Sequence, residues 1–169
     1  GQSYNLKMLA ALVERGCTLF DYEVVTDEKS RRLIFFGRYA GLAGMIDTLW
    51  TLGRRLQALG RETPLLDLQP SHRYADLEAA KDAVAAAGKR IAAEGLPEFM
   101  APVVIGFTGY GNVSSGAQEI FDLLPHEEVA PREVAAYVAS NPGLTTRLAK
   151  VVYKEEHLVA PKDASATFD

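Results

Sequence analysis

Cysteine is almost absent: the 169 residues hold one, Cys17. A single thiol excludes an internal disulfide framework and suits a reducing compartment. Histidine is scarce too. His72, His126 and His157 are scattered, with none of the HxxxH or CxxC spacing of a ligand set, so no metal is expected. No apolar run approaches the roughly 20 residues of a membrane helix. The most apolar helical stretch, residues 39–60, carries Asp47, Arg54 and Arg55. Positive charge is not in excess: 18 Lys and Arg against 22 Asp and Glu leave a net charge of −4. Nucleic acids and anionic membranes select clustered positive charge, so neither is an expected partner. The first residue is Gly1 rather than Met, and residues 1–15 read as amphipathic helix, not as a secretory leader. This leads to the expectation of a processed or excised piece of something longer. What is present is ordinary globular usage, 48% apolar and 24% charged residues, in a length suited to about one domain.

Leu6, Leu9, Leu12 and Val13 recur at helical spacing, and Gly16 is a fitting stop. Residues 17–25 are β-branched and aromatic and read as a strand. Residues 27–30 form a polar turn, and residues 32–36 read as a second strand, giving a β-hairpin. A long helix follows over 39–60, then a loop over 61–75 with Pro64 and Pro70. Leu77, Ala80, Val84, Ala87 and Ile91 mark another helix, closed by Gly95 and Pro97. Residues 102–107 are a nearly unbroken apolar run, as in a parallel strand buried on both faces. A turn spans 109–116, and residues 117–124 read as helix. A short parallel strand is expected at 127–130, helical turns near 132–139 and 144–149, and a third strand at 151–153. The alternation of strand and helix makes the fold class α/β, with an incomplete, Rossmann-like parallel sheet.

Residues 103–117, VVIGFTGYGNVSSGA, carry the chemistry. A buried strand runs into a Gly-x-Gly turn, and the turn opens a helix, the context of a dinucleotide-binding fingerprint. Gly109 permits the tight turn, and Gly111 lets a pyrophosphate approach the backbone. The helix N-terminus near Asn112 offers free N–H groups and the positive end of a dipole. The usual third glycine falls at Ser114, and the next glycine is Gly116. Tyr110 lies inside the turn, where it covers a ribose or faces solvent. The turn lacks the Lys of a phosphate-binding P-loop, which argues against ATP hydrolysis. An acidic ribose ligand is expected about 20 residues on. That place holds Arg132, suited to the 2′-phosphate of NADP, with Glu133 as the competing residue for NAD.

The segment GFTGYGNVSSGAQEIFDLLP resembles the cofactor loop of the lysine–ketoglutarate reductase, or saccharopine dehydrogenase (lysine-forming), family. This family includes the reductase half of the aminoadipic semialdehyde synthases. CTLFDYEVVTDEKSRRLIFFGRYAGLAGMIDTLW is similar to the segment before it, so the resemblance covers nearly the whole chain. It implies a dinucleotide domain, starting within 101–169, and a substrate domain that ends within 1–60 and includes a crossing helix; residues 61–100 link them. It implies NADP or NAD as cofactor, and lysine, 2-oxoglutarate and saccharopine as small-molecule partners. By the same resemblance Gln2, Arg32 and Phe36 match substrate-contacting positions. Arg31 matches a position facing the cofactor, beside Gly109, Tyr110, Gly111, Asn112, Val113, Ser114 and Arg132. An Arg fork suits a dicarboxylate independently, because it binds a carboxylate bidentately.

The family's acid–base Lys and His match no residue here; they would precede Gln2. No catalytic residue is therefore expected in this chain, nor activity from this piece alone. Alanine dehydrogenase shares the architecture more distantly, and a non-catalytic nucleotide-binding module is the rival class. Cys17, entering a strand with no adjacent His, reads as a buried inert thiol. Asp21 and Glu23 share a strand face and are assigned no role. An incomplete sheet exposes an edge, which favours a homodimer. The expected compartment is the cytoplasm for a bacterial protein and the mitochondrion for an animal one.

Overall fold

The computed structural model describes residues 5–160 and residue 162. Two compact units are distinguished, Gly1–Phe36 and Gly37–Asp169.

In the first unit, helix α1 spans Leu6–Glu14. It stops where Gly16 turns left-handed, φ +63°, as the sequence suggests. The expected hairpin does not form as a ladder. Residues 17–25 hold only a 3-10 turn at Tyr22–Val24, and a single antiparallel bridge joins Thr26 to Arg32. The reversal itself is real. Asp27 accepts hydrogen bonds from the backbone N–H groups of Lys29 and Arg31, and its own N–H donates to the Arg31 carbonyl. None of residues 5–36 is buried, so no core face fixes a strand register, and an unsupported two-stranded ladder is marginal. Cys17 consequently sits in irregular chain and is exposed, not buried.

The second unit holds the core. Helix α2 spans Gly37–Ala58, two residues earlier at each end than expected. Two 3-10 turns, Pro64–Asp67 and Ser71–Arg73, carry the chain to α3, Leu77–Glu94. Asp76 caps α3 by accepting from the Ala79 N–H, and Gly95, φ +80°, ends it. Strand β1 is Val104–Thr108, α4 is Asn112–Phe121, β2 is His126–Glu128 and α5 is Val134–Ser140. Strand β3 is Leu148–Tyr153 and α6 is Glu155–Leu158. Helix α4 thus begins within the expected turn and ends before Leu124. The helical turn expected at 144–149 is corrected: its end forms the start of β3, because Leu148, Ala149 and Val151 are buried between two parallel neighbours.

The sheet is wholly parallel, in the order β1-β3-β2. The fold is α/β with a short Rossmann-like sheet, but the order departs from the usual one. A Rossmann half sets its second strand beside the first; here β3 takes that place. One face of the sheet packs Phe107 on Phe121, ring centroids 5.3 Å apart at 75°, over Leu42, Ile46, Leu49, Val84 and Ile91. Val129, Ala149 and Val151 pack with Val134, Tyr137 and Tyr153 in a smaller cluster. Each large apolar side chain contributes about 1.5–3 kcal/mol on burial. Lys150, 5% exposed in mid-strand, is matched by Asp122 at 2.7 Å and Glu128 at 3.5 Å. That pairing offsets the cost of burying its charge.

Candidate functional site

Because all three strands run parallel, their carboxyl ends share one edge of the sheet. Ligands of open α/β sheets bind outside that edge. The glycine turn leaves β1 there. Gly109 has φ +92°, a backbone few side-chain-bearing residues adopt, and its N–H donates to the Tyr153 carbonyl at 2.8 Å. A Cβ placed on Gly109 or on Gly111 would meet no atom within 4 Å, so the turn's outer surface is open. Gly111 is the N-cap of α4, and no side chain caps the helix. The first intrahelical bond of the helix is Ser115 N–H to the Gly111 carbonyl. The N–H groups of Asn112, Val113 and Ser114 precede it and are free to meet an anion. An open Gly-x-Gly cradle with uncapped helix amides is the donor set a pyrophosphate requires.

The helix is held from behind. A Cβ at Gly41 would lie 1.9 Å from the Val113 carbonyl oxygen, and one at Gly116 would lie 2.1 Å from that of Arg38. Gly116, off-register as a third fingerprint glycine, permits the close approach of α4 to α2. Ser114 accepts a hydrogen bond from the Gln118 amide one turn later. Glu119 fastens the outer side, ion-paired with Arg38 at 2.7 Å and Lys81 at 3.0 Å. Hydrogen bonds from Lys81 and then Arg38 hold its carboxyl below the usual range. Tyr110 is exposed at the turn, with the Lys154 ammonium 5.9 Å from its ring centre.

Arg132 lies in the exposed 3-10 turn Pro131–Glu133, past the end of β2. Its assignment rested on the tip of the second strand; the observed order puts β3 between that strand and β1. Nearby, the Tyr137 hydroxyl donates to Glu127. Burial, and then the hydrogen bond to Glu127, push the Tyr137 phenol up to about 12.

In the first unit, Arg31 is ion-paired with Asp27 at 2.7 Å and Arg32 with Glu23 at 3.5 Å. The Phe36 ring meets Tyr22 edge-on at 6.1 Å. The structure therefore brings Arg32 and Phe36 to one small cluster with Tyr22 and Glu23. Asp21 is not a strand residue either; it caps the 3-10 turn by accepting from the Glu23 N–H. Gln2 lies outside the described residues. Among the described residues no three His, Cys, Asp or Glu side chains gather to hold a metal, and no helix is long and apolar enough to cross a membrane. Lys154 is the residue that sequence reasoning passed over. Its only signal there, a Lys just after an apolar run, gains meaning from the strand order.

No protein-family model matches the chain. Curated relatives do. The Arabidopsis thaliana alpha-aminoadipic semialdehyde synthase is 42% identical over 99% of this chain. The mitochondrial alpha-aminoadipic semialdehyde synthases of Mus musculus and Bos taurus are each 38% identical over 96% of it. The chain spans 17% of the length of these relatives. With the strand–glycine turn–helix unit of the expected cofactor loop in place, the chain is similar, over nearly its whole length, to one segment of the alpha-aminoadipic semialdehyde synthases.

Proposed function

We propose that this chain supplies the phosphate-binding turn, and part of the substrate side, of an oxidoreductase of the saccharopine-forming type. In this reading lysine and 2-oxoglutarate condense to an imine, which is then reduced to saccharopine. A nicotinamide dinucleotide, NADP or NAD, supplies the hydride when bound. The observation that carries the reading is the open Gly109–Gly111 turn with the uncapped N-terminus of α4, in a chain so similar to these synthases. The free N–H groups of Asn112, Val113 and Ser114 hold the pyrophosphate, and Tyr110 borders it. The tight backing of Gly41 and Gly116 keeps the helix end from yielding as charge arrives.

Arg32 and Phe36, with Gln2, form the substrate side in this reading. Arg31 faces the cofactor from the same unit. A guanidinium is suited to the carboxylates of 2-oxoglutarate and saccharopine. In this reading no acid–base group is assigned to a residue of this chain. For an animal protein the compartment in this reading is the mitochondrion, as the names of the mouse and cattle relatives have it.

The test follows oxidation of NADPH and NADH by the full-length protein that carries this chain. Turnover that requires lysine and 2-oxoglutarate together is expected; pyruvate with ammonia is expected to give none. Turnover with pyruvate and ammonia instead would mark an alanine dehydrogenase-like enzyme. Dinucleotide binding without turnover on either pair would leave a binding module.

A further inference from the structure

The order of the sheet changes which residue reads the cofactor's adenosine ribose. In a dinucleotide fold, that residue ends the strand next to β1, level with the first glycine. Here the adjoining strand is β3. Its parallel register pairs Thr108 with Tyr153, and the Gly109 N–H to Tyr153 carbonyl bond carries the ladder one step further. The residue level with Gly109 is therefore Lys154. It is still extended, φ −97° and ψ 173°, so side chains alternate through it. Tyr153 turns to one face, its ring against Gly106. Lys154 falls on the other face with Val152, which packs in the Phe107 cluster, and Lys150, which pairs with Asp122 at the end of α4. This is the face that carries α4 and its free N–H groups.

Resting on the dinucleotide reading above, we propose that Lys154 is the cofactor-specificity residue. Its ammonium binds the 2′-phosphate of NADPH, and Arg132 does not take that role. The ammonium lies over Tyr110, at the rim of the glycine turn, and no carboxylate among the described residues pairs with it. A compact cation in the place of the usual ribose-binding carboxylate favours a phosphate ester over a free hydroxyl. Glu155 and Glu156 are the nearest acids in sequence; they follow one and two steps beyond the level of Gly109, in α6.

The experiment is equilibrium binding, read by the fluorescence of the reduced nicotinamide, on the full-length protein and its Lys154→Ala, Arg132→Ala and Glu155→Gln variants. Calorimetry with 2′,5′-ADP is a readout free of the nicotinamide. Wild type is expected to prefer NADPH. Lys154→Ala is expected to lose about tenfold to a hundredfold in affinity for NADPH and 2′,5′-ADP, with NADH binding unchanged. Equal losses for NADPH and NADH, or loss of selectivity in Arg132→Ala but not in Lys154→Ala, would overturn the assignment. So would a wild-type preference for NADH that Glu155→Gln abolishes; dinucleotide binding itself would then survive. Wild type that binds neither dinucleotide would overturn the assignment together with the reading on which it rests.

Discussion

Glu119 shows how one side chain couples three helices. It is on α4 and holds Arg38 of α2 and Lys81 of α3. Both hydrogen bonds require the carboxylate, which is why its proton leaves below the ordinary value of 4.5. A carboxyl with a depressed native pKa adds stability above its unfolded pKa, and that share is lost as pH falls through the native value. Glu119→Gln should therefore lower the thermal midpoint at neutral pH, and the gap from wild type should narrow as the pH falls below the ordinary carboxyl value of 4.5. Thermal unfolding of both proteins across that range checks it. A gap that persists unchanged in acid would assign the loss to packing instead. At this same scale the sequence reveals residue type but not company. Cys17 reads as buried because its neighbours look like a strand, and it is exposed because no strand forms there. Arg132 has the right charge, but it follows β2, and the strand order sets β3, which leads into Lys154, beside β1.

The contact of α2 with α4 is decided by two glycines whose missing Cβ atoms would strike backbone, not mobile side chains. Gly41→Ala or Gly116→Ala gains up to about 1 kcal/mol of helix propensity. It also forces two helices apart, and overpacking of this kind costs about 1–3 kcal/mol or more. The clash wins because neither carbonyl can move without its helix. Both variants should unfold at lower denaturant, and dinucleotide affinity should fall where they remain folded, because the N-terminus of α4 shifts. Gly44→Ala is the internal control. Its Cβ meets nothing within 4 Å, so this change on the same helix should stabilise, by roughly 0.5–1 kcal/mol. Denaturation midpoints of the three variants separate the two effects.

Elements with local signals were legible. Periodic apolar positions gave α2 and α3, Asp76 and Gly95 marked the ends of α3, and the apolar run before Gly109 gave β1. Strand order was not legible, since short parallel strands carry no mark of their neighbours. Leu148–Tyr153 lies in the middle because both of its faces find apolar partners, which is a property of the assembled sheet. The close-packing role of Gly116 was hidden for the same reason: its partner, Arg38, is far away in sequence.

At the scale of the whole molecule, burial is concentrated in one unit. Among the described residues, every buried one belongs to Gly37–Asp169, and none of residues 5–36 is buried. Phe20, at 87% exposed, and Val13, at 72%, contribute little to holding their unit together. Stability is therefore uneven along the chain, and segments with few buried contacts open most readily. Limited trypsin digestion should cut first at Arg15, Lys29, Arg31 or Arg32, all exposed and outside long helices. The product beginning near Leu33 should keep the thermal midpoint of the intact chain, because α2, α3, α4 and the sheet supply the cooperative core. Under the proposed function the same nick separates two roles. The glycine turn and Lys154 stay with the resistant part, so binding of 2′,5′-ADP should persist after cleavage. The proposed substrate contacts Gln2 and Arg32 leave with the N-terminal part, so in the full-length protein the same cleavage should abolish turnover of lysine with 2-oxoglutarate. First cuts within α3 or α4, or loss of the unfolding transition once residues 1–32 are removed, would show instead that the N-terminal unit is needed for the core.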